Sequence, residues 1–192
     1  MLRTFVTGVI AAVALLGAAC GSEVGSDESS DTTAAPATTA APSNDFVADL
    51  DAICADARAI GDTDEEEFEG ALTSLQAAAD SGFVAGDADY DRAIAEIVFV
   101  LETGVGHRQD AQDQIEALDA PADAEAALDD LITLNGEGIA TLDELRVAFA
   151  ADDGPAISAL FDEAQATEAS RDAQQQALAD ELGAPGCAPD QD

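Results

Sequence analysis

From Asn44 onward the apolar residues return every third or fourth position and never settle into alternation, so this stretch can bury an apolar face only as helices. Phe46, Val47, Leu50, Ile53, Cys54 and Ile60 form one stripe behind the capping candidates Ser43 and Asn44. Thr63-Asp64-Glu65-Glu66 has the capping-box pattern and precedes Phe68, Leu72, Leu75 and Ala79, which marks a second segment. After Gly86, Asp87 or Asp89 opens a third, carrying Tyr90, Ile94, Ile97, Val98, Leu101, Val105, Ile115 and Leu118. Pro121 sits where a first-turn proline is tolerated and leads into Leu128, Leu131, Ile139, Leu142, Leu145 and Phe149. Asp152-Asp153-Gly154-Pro155 repeats that punctuation before Ile157, Leu160, Phe161, Ala164, Leu178 and Leu182, and Gly183 with Pro185 ends the last segment. These five segments predict one all-α domain over residues 44–192, an up-and-down bundle of four to five helices.

The residues before Asn44 obey different rules. Arg3 is the one charge ahead of an uncharged run from Phe5 to Ala19, whose 15 residues fall short of the ~20 that an α-helix needs to cross a bilayer. A charged start, a short apolar core and small residues at its end predict a secretory signal over residues 1–19. Cys20-Gly21-Ser22 resembles the start of a mature bacterial lipoprotein, whose lipobox carries a Leu-like residue three before the acylated Cys and then two small residues. Ala18 and Ala19 fit; Leu16 lies one place early and leaves Gly17 at the third position. The resemblance implies a lipid on Cys20, whereas Gly17-Ala18-Ala19 also suits an ordinary signal peptidase and simple secretion. Residues 20–43, the Cys and then GSEVGSDESSDTTAAPATTAAPS, lack the apolar content for a core and predict a disordered tether. Its 23 residues beyond the Cys would reach about 75–80 Å fully extended and average about 26 Å as a flexible chain.

The chain has no Lys, and its 41 acids against 6 arginines give a formal charge of −35. Loss of residues 1–19 would remove Arg3 and no acid, leaving Arg58, Arg92, Arg108, Arg146 and Arg171 as the fixed positives. Such a field repels phosphate backbones, which excludes nucleic acid as a partner. With Cys20 acylated, Cys54 and Cys187 are the two remaining thiols, and in an oxidising compartment they have one pairing. They lack the C-x-x-C spacing of redox or metal pairs, so a structural disulfide is expected.

Taken together, the lipobox, the Thr/Ala/Pro tether, the early-helix Cys54, the proline-started hairpins and the closing Ala179…Leu182-Gly183…Cys187 resemble actinobacterial secreted lipoproteins. That resemblance implies a helical, disulfide-closed domain and supplies no activity.

Motifs for chemistry are sparse. His107 is the sole histidine and has Gly104 three places before it, which rules out the paired E-x-x-H pattern of a di-metal bundle. Asp87-Ala88-Asp89-Tyr90-Asp91 starts like a calcium loop, but Arg92 stands where the turn Gly belongs and Val98 where the bidentate Glu belongs. The acid run from Asp62 to Glu69 also lacks ligand spacing and is expected as an exposed first turn. No catalytic residue, metal site or cofactor is expected.

One internal group stands out. At about 100° per residue, Arg108 falls within the third segment's apolar stripe, Asn135 within the fourth's, and Glu168, Arg171 and Gln175 within the fifth's. If the third and fourth run antiparallel about Ala120, Gly104 lies level with Gly136 and Glu102 with Gly138. The phase requires an unbroken helix through Gly104-Val105-Gly106. Arg108, Asn135, Glu168 and Arg171 are therefore expected in one polar slab, either a layer that fixes helix register or a pocket for a small molecule or cation. The function expected is that of a non-catalytic module, lipid-anchored at the outer face of the cell membrane and acting on another envelope component.

Overall fold

The computed structural model describes residues 44–189, and it is all-α. Four helices follow one another: α1 (Asn44–Asp80), α2 (Ala88–Glu116), α3 (Glu125–Ala150) and α4 (Gly154–Leu182), with a single 3-10 turn at Pro185–Cys187. Each helix packs on its chain neighbour, the up-and-down order. The expected signal segment over residues 1–19, Cys20 and the expected tether up to residue 43 lie outside the described residues.

Four helices replace the five segments because the first two are one helix of 37 residues. Glycine inside a helix costs about 1 kcal/mol relative to alanine, which is too little for Gly61 to break α1 when Leu50 and Leu72 are both buried. Thr63 does not cap: its hydroxyl donates back to the Ala59 carbonyl at 3.2 Å, the arrangement of a threonine within a helix. At about 55 Å, α1 outreaches the others, which span about 40–44 Å at 1.5 Å per residue.

The helix ends follow the sequence more closely. Asp153 caps α4 by accepting from the Ala156 amide at 3.2 Å, with Pro155 in the first turn. Gly183 ends α4 in the left-handed region (φ 69°), and the Ala184 amide donates to the Ala179 carbonyl at 3.0 Å. Pro121 acts one step ahead of its expected place. Its carbonyl accepts from the amides of Ala124 and Glu125 in a turn that precedes α3. The acids at the start of α2 are turned on local partners: Asp87 accepts from the Val84 amide at 2.8 Å, Asp91 from the Gly86 amide at 2.9 Å, and Asp89 pairs with Arg92.

The apolar core is divided. One part joins Ala71, Leu72 and Leu75 of α1 to Tyr90, Ile97 and Leu101 of α2, Leu145 and Phe149 of α3, and Ile157 of α4. Phe68 closes it edge-on against Phe149, with ring centroids 6.3 Å apart. The other joins Phe46 and Leu50 to Ile115, Leu128, Leu131 and Leu134, Leu178 and Leu182, and the tail residues Ala184 and Cys187. Between them, on every helix, runs a stretch with no buried large apolar side chain: 51–70 on α1, 105–114 on α2, 135–144 on α3 and 158–177 on α4.

Tyr90 ties the turn between α3 and α4 to the start of α2. It is 2 % exposed, and its hydroxyl donates to Asp152 Oδ1 at 2.8 Å, where Asp152 itself holds a positive φ of 50°. Burial first, and then the bond to Asp152 and its charge, push the phenol well above the ordinary value of 10.0. A folded-state value above the unfolded one means that Tyr90 gives its full stabilisation below about pH 10 and loses it as pH rises further. Tyr90 is the one tyrosine in the chain and there is no tryptophan, so tyrosinate absorbance reports this group alone. The absorbance change should stay absent until the protein unfolds at alkaline pH. Tyr90→Phe should cost about 1 kcal/mol at neutral pH and remove this tyrosine's share of the alkaline loss of stability, as read by denaturant titrations at both pH values.

Candidate functional site

Two polar assemblies organise the molecule, and the first is at the tail. Asp51, Cys54 and Arg58 are spaced by three and four residues, so α1 presents all three on one face. Cys54 is bridged to Cys187 across 133 residues of chain, with the Cα atoms 4.8 Å apart, the pairing expected from the sequence. Arg58 Nη2 donates to the Gly186 carbonyl at 2.7 Å and to the Ala188 carbonyl, and the Asp51 carboxylate accepts from the Gly186 amide. From α4, Gln175 Nε2 donates to the Cys187 carbonyl at 2.8 Å. Gly186 has no room for a side chain, since a Cβ there would strike the backbone carbonyl of Asp51. Asp51 and Arg58 were not singled out by their sequence context. Their spacing about Cys54 was the available signal, but backbone groups, the partners they hold, leave no mark in a sequence.

The second assembly is the waist between the two cores, where the expected slab residues lie. Helix α2 is continuous through Gly104-Val105-Gly106. Arg171, half-buried on α4, donates from Nη2 to the Leu134 carbonyl at 3.2 Å and lies against Gly138, where a Cβ would come within 2.7 Å of Nη2. Asn135 is half-buried and in helical phase with Leu128 and Leu142 on α3. Glu168 is half-buried one turn before Arg171; desolvation, with the charge of Asp172 adding to it, raises its carboxyl above the usual range. Gln175 serves the tail instead of the waist.

Arg108 stands at the level of the waist with its side chain exposed. It is in helical phase with Ile97 and Ile115, yet it keeps broad access to solvent, because a side chain this long can leave an inward-directed Cα and reach water. The protein packed around it still lowers its pKa by desolvation; Asp64 opposes that shift, Arg171 adds to it, and Glu65 opposes it. Gly104 is buried and faces α1, not Gly136: a Cβ on it would meet Asp64 Oδ2 at 3.5 Å. Asp64 fills that space, and both its carboxylate oxygens lie 3.1 Å from His107 Nδ1. Gly136 instead neighbours Gln112, whose Oε1 would stand 3.8 Å from a Cβ there.

Chemically, the waist offers guanidinium and amide groups and one imidazole–carboxylate contact. Comparison with protein-family models, with curated proteins and with solved structures finds no match to this chain.

The tail contacts set a test of coupling. Gly186→Ala should lower stability by about 1–3 kcal/mol through overpacking against Asp51. Cys187→Ser should lower it by up to about 5 kcal/mol, the loop-entropy limit for a closure of this length. Combined, they should cost clearly less than their sum in denaturant titrations, because the freed tail no longer presses residue 186 on α1.

Glu168 sets a second test. Its carboxyl is raised in the fold, so the charged form opposes folding at neutral pH and that cost fades as pH falls through the carboxylate range. Glu168→Gln should raise the melting temperature at pH 7 and lose the advantage on acidification.

Proposed function

We propose that this chain is an exported envelope lipoprotein, held to the outer face of the cell membrane by a lipid on Cys20, whose helical bundle acts non-catalytically on another envelope component. The observation that carries the proposal is the Cys54–Cys187 bridge. Structural disulfides belong to oxidising compartments, and this one uses both cysteines of the bundle, leaving Cys20 as the remaining thiol at the end of the apolar run. Among the described residues, no helix is long and apolar enough to cross a membrane; the attachment in this reading is the lipid. Arg58, Asp51 and Gln175 are engaged with backbone groups of the tail, which fixes the packing of the bundle that the lipid would carry.

Fractionation of expressing cells tests the anchor. Wild-type protein should partition with membranes and incorporate labelled fatty acid, and Cys20→Ala should lose the label and appear in the medium. Recovery of the wild type in the medium with Cys20 as a free thiol would instead mean simple secretion.

A further inference from the structure

The five arginines of the described residues are used unequally. Arg92 and Arg146 each pair with an aspartate one turn away on their own helix, at 2.9 and 2.8 Å. Arg58 holds the tail. Arg108 and Arg171 have no ion pair to a carboxylate among the described residues, in a chain with 41 acids and 6 arginines. These two belong to one waist. Arg171 is fixed from α4 by the Leu134 carbonyl and the bare surface of Gly138, while Arg108 stands one turn before Gln112 on the same face of α2. Gln112 is oriented by its own bond, Nε2 donating to Glu116 Oε1 at 2.8 Å, which turns Oε1 toward α3 beside Gly136. That oxygen is buried and has no donor among the described residues. A buried acceptor without a partner is uncommon and calls for a hydrogen-bond donor.

We propose that the waist binds a small carboxylate which also carries a hydrogen-bond donor, the carboxylate lying between Arg108 and Arg171 and the donor reaching Gln112 Oε1. This gives the ligand-pocket alternative an anion where the acidic composition suggests a cation, and it stands whether or not Cys20 is acylated. Guanidinium groups recognise carboxylates by paired N–H donors, and an anion between two of them offsets the repulsion that Arg171 adds at Arg108, where Asp64 already supplies a larger opposing charge without an ion pair. Asn135, on the inner phase of α3 at the same level, supplies a further amide.

The test exchanges anions at constant sodium and pH, so that cation screening of the acidic surface is held fixed. Glycolate has the carboxylate and a hydroxyl donor, acetate has the carboxylate alone, and chloride is the reference. Glycolate should raise the melting temperature saturably, acetate less, both beyond chloride. Arg108→Gln removes a side chain without an ion-pair partner, so it should fold as stably as the wild type or more so, yet weaken glycolate by about tenfold or more. Gln112→Leu should keep the acetate response and erase the glycolate advantage. Equal melting in all three anions, or an undiminished glycolate response in Arg108→Gln, would overturn the site. Equal responses to glycolate and acetate above chloride would overturn the role of Gln112.

Discussion

The closure of the tail on α1 is the constraint on which the rest of the bundle depends. Helices α1 to α4 meet their chain neighbours closely, whereas α1 and α4 are brought together by the 3-10 turn that lies against both. That turn is held covalently at Cys187, by Arg58 and Asp51 on its backbone, and by Gln175 from the other side. It also contributes Ala184 and Cys187 to the core that contains Phe46 and Leu50. Without it, that core would be open along the α1–α4 seam. A chain rich in small alanine side chains and poor in aromatics buries little area per residue, which makes the covalent closure a larger share of the total stability than in an aromatic-rich core.

The divided core explains how so acidic a chain tolerates polar side chains halfway along its helices. Among the described residues, no polar or charged residue is fully buried. Charges at the waist stay partly hydrated and avoid the several kcal/mol that full burial of an ion would cost. Arg171 reaches inward because a glycine on α3 makes way for it, and it finds a carbonyl there. Asp64 does the same against Gly104 of α2. Small residues and long polar ones therefore replace the large apolar pairs that bridge neighbouring helices in the cores to either side.

Much of this architecture was legible in the sequence because its determinants are local. Apolar period gave the helical class, Asp153-Gly154-Pro155 and Gly183 gave the ends of α4, and the two thiols beyond Cys20 gave the bridge. The run through Gly61 was misread as two helices because a capping-box pattern looks the same whether the chain enters a helix there or is already inside one. Tertiary anchors on both sides of Gly61 decide the matter, and they are distant in sequence. For Arg108, Asn135, Glu168 and Arg171 the sequence carries helical phase but no contacts. Helical phase gives the direction of a Cα–Cβ bond; where a long Arg108 side chain ends, or which neighbour Gly104 faces, depends on the tilt and spacing of other helices. The hold of Arg58 and Asp51 on the tail was hidden for a simpler reason, since backbone carbonyls and amides occur at every position.

The place of the bridge also has a mechanical meaning. Cys54 lies ten residues into α1, and Cys187 lies just beyond α4, so the chain enters and leaves at the same end of the bundle. A force pulling the entering chain against the leaving chain would run through the sulfur–sulfur bond and bypass the 132 residues between the cysteines. The yielding part would be the first turns of α1 and the last few residues, a short extension after which the load meets a covalent stop. The core around Phe149, the waist and both far turns lie inside that loop and would remain unstretched, whereas Phe46 and Leu50 precede Cys54 and would leave the other core with the first turns of α1.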